Sequence, residues 1–235
     1  MIKNRFLFLI FNFCFFVACS RTDSQYIGEQ YLGATYLNNP LGEEVFPDKD
    51  PLIRFDAFDC TTFVETVLAN GDKDLLTKIR YKNGKVDFLM RNHFIESDWI
   101  ENNSDFVKNV SNKYSKKTKV RTVVINKQRW FKRVYDIETQ IPPKMVKLEY
   151  IPYSVIKKIK PKEPLIVLFV IDNPKFIDKI GSDLAVIHMG FLLPNGMLRH
   201  ASRQYGRVMD TDFKEYIHER AKVKTNIGIS LLEIK

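Results

Sequence analysis

Two apolar runs in the last third of the chain constrain its fold most. Leu165–Ile171 is wholly apolar, and residues 185–193 are apolar except for His188 and Gly190. Each is too short for a buried helix and rich in branched side chains, so each reads as a strand covered on both faces. Pro194-Asn195-Gly196 then marks a turn, and Met197–Ser202 reads as the returning strand of a hairpin. Helical patterns precede these runs. Helices first and an antiparallel sheet afterwards imply an α+β fold.

Loop length in that hairpin decides which side chains meet. With a three-residue loop, Leu193 faces Met197, His200 lies opposite Gly190, and His188 lies opposite Ser202. The two histidines then share one face as diagonal neighbours, ~7–8 Å apart along the backbone. A two-residue loop would turn His200 to the other face.

A second signal lies upstream. Cys60–Ala69 reads as a helix with an apolar stripe of Phe63, Val64, Val67 and Leu68, stopped by Asn70-Gly71. Asp59 is a candidate N-cap, which puts Cys60 in the first turn. A thiol there feels the positive end of the helix dipole, and a lowered pKa is the expectation. A buried structural cysteine is the alternative.

Cysteine usage sharpens the choice. The chain has three cysteines, Cys14, Cys19 and Cys60. Lys3 and Arg5 precede an apolar stretch, residues 6–18, broken only by Asn12. Thirteen helical residues would span about 20 Å, short of a bilayer core of ~30 Å. This reads as a secretory signal over residues 1–18, ending in Val17-Ala18-Cys19-Ser20. A small residue before the cysteine resembles a bacterial lipoprotein signal, which implies a lipid on Cys19 and a polar tether over 19–30. Simple cleavage near Ala18 is the alternative. Either way an exported protein is expected, periplasmic or held at the outer membrane, with Cys60 left as an unpaired thiol.

Charge adds little specificity. Residues 1–18 carry two of the 37 basic side chains and none of the 28 acidic ones, so their removal lowers the charge from +9 to +7. An anionic wall polymer or membrane surface suits this better than nucleic acid, which an exported protein does not meet in its normal work. A solvated lysine-rich surface explains the surplus equally well. The middle of the chain, residues 72–161, reads as a lysine-rich insertion. It has a turn at Asn83-Gly84, a strand over 120–125, a short helix over 128–135 and a break at Pro142-Pro143.

Cys60, His188 and His200 together fit a triad: a nucleophile on a helix tip, a base on a strand, and an orienting group on the next strand. The sequence Asp59-Cys60-Thr61-Thr62-Phe63, then His188-Met189-Gly190-Phe191 and His200-Ala201-Ser202, resembles the NlpC-type papain-like cell-wall peptidases. Phe58 to Ala69, Ile79-Arg80-Tyr81, Arg91-Asn92-His93-Phe94 and Asp98-Trp99-Ile100 are similar to the N-acetylmuramoyl-L-alanine amidase-like branch. Glu163-Pro164 stands where that family usually has Gly-Asp.

The resemblance covers residues 31–235. It implies one papain-like domain, with the catalytic helix packed on an antiparallel sheet or half-barrel. It implies hydrolysis of a peptidoglycan amide, most directly the bond between the muramyl lactyl group and L-alanine. A D-glutamyl–diamino-acid bond is the alternative. It also implies that Tyr36, in Gly33-Ala34-Thr35-Tyr36, sits by the oxyanion site, and that Asp59, Arg91, His93, Trp99 and Ser202 lie at or near the cleft. No cofactor or metal is expected. Core packing is the competing reading of Trp99, and His218 reads as surface.

Two rivals stand beside this reading. Cys60, His93, His188 and His200 could ligate zinc, although no paired ligand spacing occurs. A wall-binding lipoprotein on the same fold would need no intact triad.

Overall fold

The structure is a computed structural model and describes residues 27–156 and 159–235. The expected signal segment, Cys19 and most of the tether lie outside the described residues.

In chain order, β1 (Thr35–Tyr36) and β2 (Ala57–Phe58) lead into α1 (Cys60–Ala69) and α2 (Lys73–Arg80). A π-helical turn, Ile95–Trp99, runs into α3 (Ile100–Asn102), followed by β3 (Val107–Asn109) and α4 (Ser111–Tyr114). Then come β4 (Lys119–Ile125), α5 (Lys127–Tyr135), β5 (Lys144–Pro152), β6 (Leu165–Ile171) and α6 (Lys175–Ile180). The chain ends with β7 (Val186–Leu192), β8 (Met197–Ser202), β9 (Arg207–Asp212), α7 (Phe213–Ala221) and β10 (Asn226–Ile234).

These strands form one ten-stranded sheet in the order β2-β1-β9-β8-β7-β6-β10-β5-β4, with β3 also on β10. Every pairing is antiparallel except β1 with β2. The sheet is therefore not confined to the C-terminal part. The lysine-rich middle of the chain supplies β4 and β5, which extend the sheet beyond β10.

β6 is apolar throughout because both its faces are covered. Ile166, Leu168 and Val170 join the core beneath α1, while Leu165, Val167 and Phe169 join a second core with Phe213 of α7. The packed chain also begins earlier than residue 31. Ile27 packs on the main core, and its carbonyl accepts a 2.9 Å bond from Arg199.

α1 has the span its sequence implies, for the expected reasons. The Asp59 carboxylate accepts from the Thr62 N–H at 2.8 Å, and the Thr62 hydroxyl accepts from the Asp59 N–H at 3.0 Å. This capping box satisfies helix-end N–H groups that would otherwise lack partners. Asn70, at φ +49°, ends the helix in the left-handed region. Phe63 faces inward, edge-on to Phe58 at 5.9 Å and to Phe191 at 5.8 Å. That contact seats the start of α1 against β7.

The β7–β8 hairpin has the three-residue loop. Leu192 pairs with Leu198, and the Leu193 N–H donates to the Met197 carbonyl at 2.9 Å. Gly190 is needed beside it. A Cβ there would lie 2.7 Å from the Arg199 carbonyl oxygen and 2.8 Å from the His200 Cβ.

Candidate active site

A cleft of about 740 Å³ opens over the tip of α1 and the ends of β7 and β8. Cys60, His188 and His200 all line it, as do Tyr36, Asp59, His93 and Ser202. Three elements distant in the sequence thus bring the proposed nucleophile and both imidazoles to one wall.

The imidazoles are directly bonded, His188 Nε2 to His200 Nδ1 at 2.7 Å, with the rings edge-on at 4.9 Å. His200 Nε2 in turn lies 3.3 Å from Thr211 Oγ1 on β9. Among the described residues His188 Nδ1 makes no hydrogen bond. Phe169 and Tyr216 pack on the same ring. Burial holds His188 well below the usual imidazole range, with His200 and Arg220 adding to the effect. Burial also lowers His200 to about 4, against a partial rise from Asp210. Both rings are neutral at neutral pH.

The thiol departs from its sequence-based expectation. Cys60 is half-buried at the helix tip. Burial pushes its pKa up to about 12, and the Asp59 carboxylate raises it further. The Met189 backbone N–H and the Thr61 hydroxyl, 3.9 Å away, oppose this only in part. Desolvation and an adjacent anion thus outweigh the helix dipole. The resting pair is a neutral thiol beside a neutral imidazole. Among the described residues no hydrogen bond joins Sγ to His188; such contacts often tighten only when substrate arrives.

Tyr36 lines the cleft near Cys60. Burial, then Cys60 and Asp59, push its phenol up to about 12, so it keeps its proton as a donor. Asp59 lines the cleft, but its carboxylate is occupied by Thr62 and by the Asn39 N–H at 3.3 Å. It shapes the helix tip. His93 reaches the cleft with its Nε2 donating to the Phe88 carbonyl at 2.6 Å, among Phe88, Trp130 and Phe131. That bond leaves Nδ1 as an acceptor. Buried Ser202 accepts from the Tyr205 N–H at 3.4 Å.

Two expected cleft residues are elsewhere. Trp99 is fully buried in the main core, where its indole N–H donates to Glu65 at 3.1 Å. Burial pushes Glu65 up to about 7, against the nearby Arg80 and that indole bond. Trp99→Phe should therefore cost about 1–3 kcal/mol, because a buried acceptor loses its donor. The check is denaturant unfolding, with KM expected to stay at the wild-type value. Arg91 is also buried. It binds Glu43 and Asp48 and lines a separate cavity of about 710 Å³ with Leu89, Met90, Pro142 and Pro143.

Among the cleft residues without a counterpart in the sequence-based reading are Lys179, Arg203, Tyr216 and Arg220. Tyr216 and Arg220 sit at i and i+4 on α7, a spacing that puts them on one helix face. The acidic and basic residues between them hide that face in the sequence. Among the described residues no three His, Cys, Asp or Glu side chains gather as a metal-ligating group.

Solved structures share this architecture. A protein from Legionella pneumophila str. Philadelphia 1 is 26% identical, with a TM-score of 0.79 over 88% of this chain and 86% of that one. An N-acetylmuramoyl-L-alanine amidase from Bacteroides uniformis is 25% identical, with a TM-score of 0.68 over 91% and 98%. A Bacteroides fragilis protein named as a xylanase, 24% identical, shares the fold at a TM-score of 0.70 over 89% and 99%. Among curated proteins, none matches the chain. A family model described as AmiA-like, N-acetylmuramoyl-L-alanine amidase-like, matches residues 26–226, and the chain belongs to that family.

Proposed function

We propose that the protein is a cysteine amidase of peptidoglycan, of the papain-like NlpC type, that cleaves the bond between the muramyl lactyl group and L-alanine. The observation that carries this reading is the bonded His188–His200 pair in the cleft that holds Cys60, in a chain of an amidase-like family. Export by the N-terminal signal and a lipid on Cys19 belong to the same proposal. They would put the enzyme beside its polymer.

In this mechanism the Cys60 thiol gives its proton to His188 Nδ1 as sulfur attacks the lactyl carbonyl. Substrate excludes water, and transfer within the pair makes thiolate only when it is used. Tyr36 and backbone N–H groups at the tip of α1 stabilise the oxyanion. As the intermediate collapses, the C–N bond breaks and His188 protonates the leaving L-alanine amine. A thioester remains on Cys60. Water, giving its proton to His188, hydrolyses it and releases the lactyl carboxylate. His200 acts through His188, holding the ring and its tautomer.

Unequal losses are therefore expected at the two histidines. His188→Ala removes the proton carrier and should lower kcat by about 10³-fold or more. His200→Ala removes an orienting bond and should lower it by about 10–100-fold. Steady-state rates on a purified disaccharide peptide check this; equal losses would give His200 a direct role. Mass spectrometry of the products tests the bond. A free L-alanine amine supports the amidase, and a free diamino-acid amine would support the D-glutamyl endopeptidase instead.

A further inference from the structure

α7 lines the cleft with Tyr216 and Arg220, two hydrogen-bond donors. Tyr216 packs edge-on to His200 at 5.2 Å and against His188 at 6.2 Å. Its ring is thus fixed by the proposed catalytic pair. Its hydroxyl makes no hydrogen bond among the described residues, and it lies near enough to Cys60 for a thiolate there to raise its pKa. One turn on, Arg220 is braced by Asn226, whose amide donates to the Arg220 carbonyl at 2.8 Å and whose Oδ1 accepts from the guanidinium at 3.3 Å. Arg220 also approaches the buried Tyr153 hydroxyl, whose pKa burial raises and Arg220 lowers by its charge and by hydrogen bonding.

Charge in the cleft is lopsided in the same direction. Lys179, Arg203 and Arg220 all line it, and none forms an ion pair with a described carboxylate. Asp59 is the one carboxylate lining it among the described residues, and its oxygens are already bonded. A phenol and a guanidinium on one helix face make two donors suited to a carboxylate.

We propose that Tyr216 and Arg220 form a carboxylate-binding subsite, with Arg203 and Lys179 at its rim drawing in the anion. The ligand is a peptide with a free carboxylate close to the scissile amide. This rests on the amidase reading and deepens it. The enzyme selects stems whose residue after L-alanine bears a free acid over stems in which that group is an amide.

Calorimetric binding to the Cys60→Ser protein tests this without relying on turnover. The probes are two N-acetylmuramoyl peptides that differ only in that acid or amide. The acid should bind about 10-fold tighter or more, as expected for charge-assisted bonds. Arg220→Met should abolish the preference, Arg220→Lys should restore part of it, and Tyr216→Phe, which keeps the ring packing, should reduce it. Equal affinities, binding of neither peptide, or a preference that survives both Arg220→Met and Tyr216→Phe would overturn the proposal. Failure of the intact enzyme to cleave either peptide would count against the amidase reading instead.

Discussion

Cys60→Ser should lower kcat by about 10⁴-fold or more while moving the thermal midpoint by no more than about 2 °C. Serine is close in shape, and the site asks little of the thiol structurally. Its partners are the Met189 N–H and the Thr61 hydroxyl, both of which a serine oxygen can use. What serine lacks is nucleophilicity once its proton moves to His188. The resting thiol also makes a chemical prediction opposite to that of a bare helix tip. With its pKa pushed up to about 12, Cys60 should react with iodoacetamide more slowly than a free thiol at pH 7.5. The rate should then climb about tenfold per pH unit to pH 9, following the thiolate fraction. Fast alkylation that levels off below pH 8 would mean a preformed thiolate–imidazolium pair.

The second large effect is expected at Arg91, and it is an effect on the fold. Its guanidinium holds Glu43 at 2.6 and 2.7 Å and Asp48 at 2.7 Å, and lies 5.0 Å over the Phe88 ring. It also donates to Asn39 Oδ1 at 3.2 Å, and the Asn39 N–H donates in turn to Asp59. Arg91 thus braces the cap of α1 through a loop residue. Arg91→Met would leave two buried carboxylates without their cation. Breaking a buried pair on one side costs about 3–5 kcal/mol, or roughly 10 °C in Tm for a domain of this size. A residue contacting substrate would instead raise KM and leave Tm alone. The pH dependence has a definite sign. Burial pushes Asp48 up, but bonds from Arg91 and Asn39 and the Arg91 charge outweigh it, so its folded pKa lies below the ordinary 3.8. The stability this confers is present above the unfolded value and lost as pH falls through the folded one. The gap in unfolding free energy between wild type and Arg91→Met should therefore narrow below about pH 4.

The sequence made some of these features readable because they are local. Asp59, Thr62 and Asn70 define α1 by capping alone, and Pro194-Asn195-Gly196 sets the hairpin register that pairs the histidines. The other features depend on contacts across long separations. Nothing near Arg91 in the chain announces Glu43 and Asp48. The inward direction of Trp99 is set by Glu65, which reaches it from another helix. The thiol pKa is not legible in the sequence for the same reason: the helix dipole is a local property, whereas desolvation comes from the packed cleft. α7 is hard to read in the sequence because Lys214, Glu215, His218 and Glu219 give it a polar pattern. That pattern conceals the buried stripe of Phe213 and the cleft-facing pair of Tyr216 and Arg220. β5 is equally hard to read because Lys144, Lys147 and Glu149 interrupt its apolar residues.

The most direct test of the account is mass spectrometry of the acyl-enzyme. Enzyme quenched in acid during turnover of a disaccharide peptide, then digested, should carry a sugar-bearing lactyl acyl group as a thioester on the peptide containing Cys60. The Cys60→Ser protein should neither turn over nor give that species. A peptide acyl group on Cys60 would contradict the assigned bond, and turnover by Cys60→Ser would contradict the nucleophile itself.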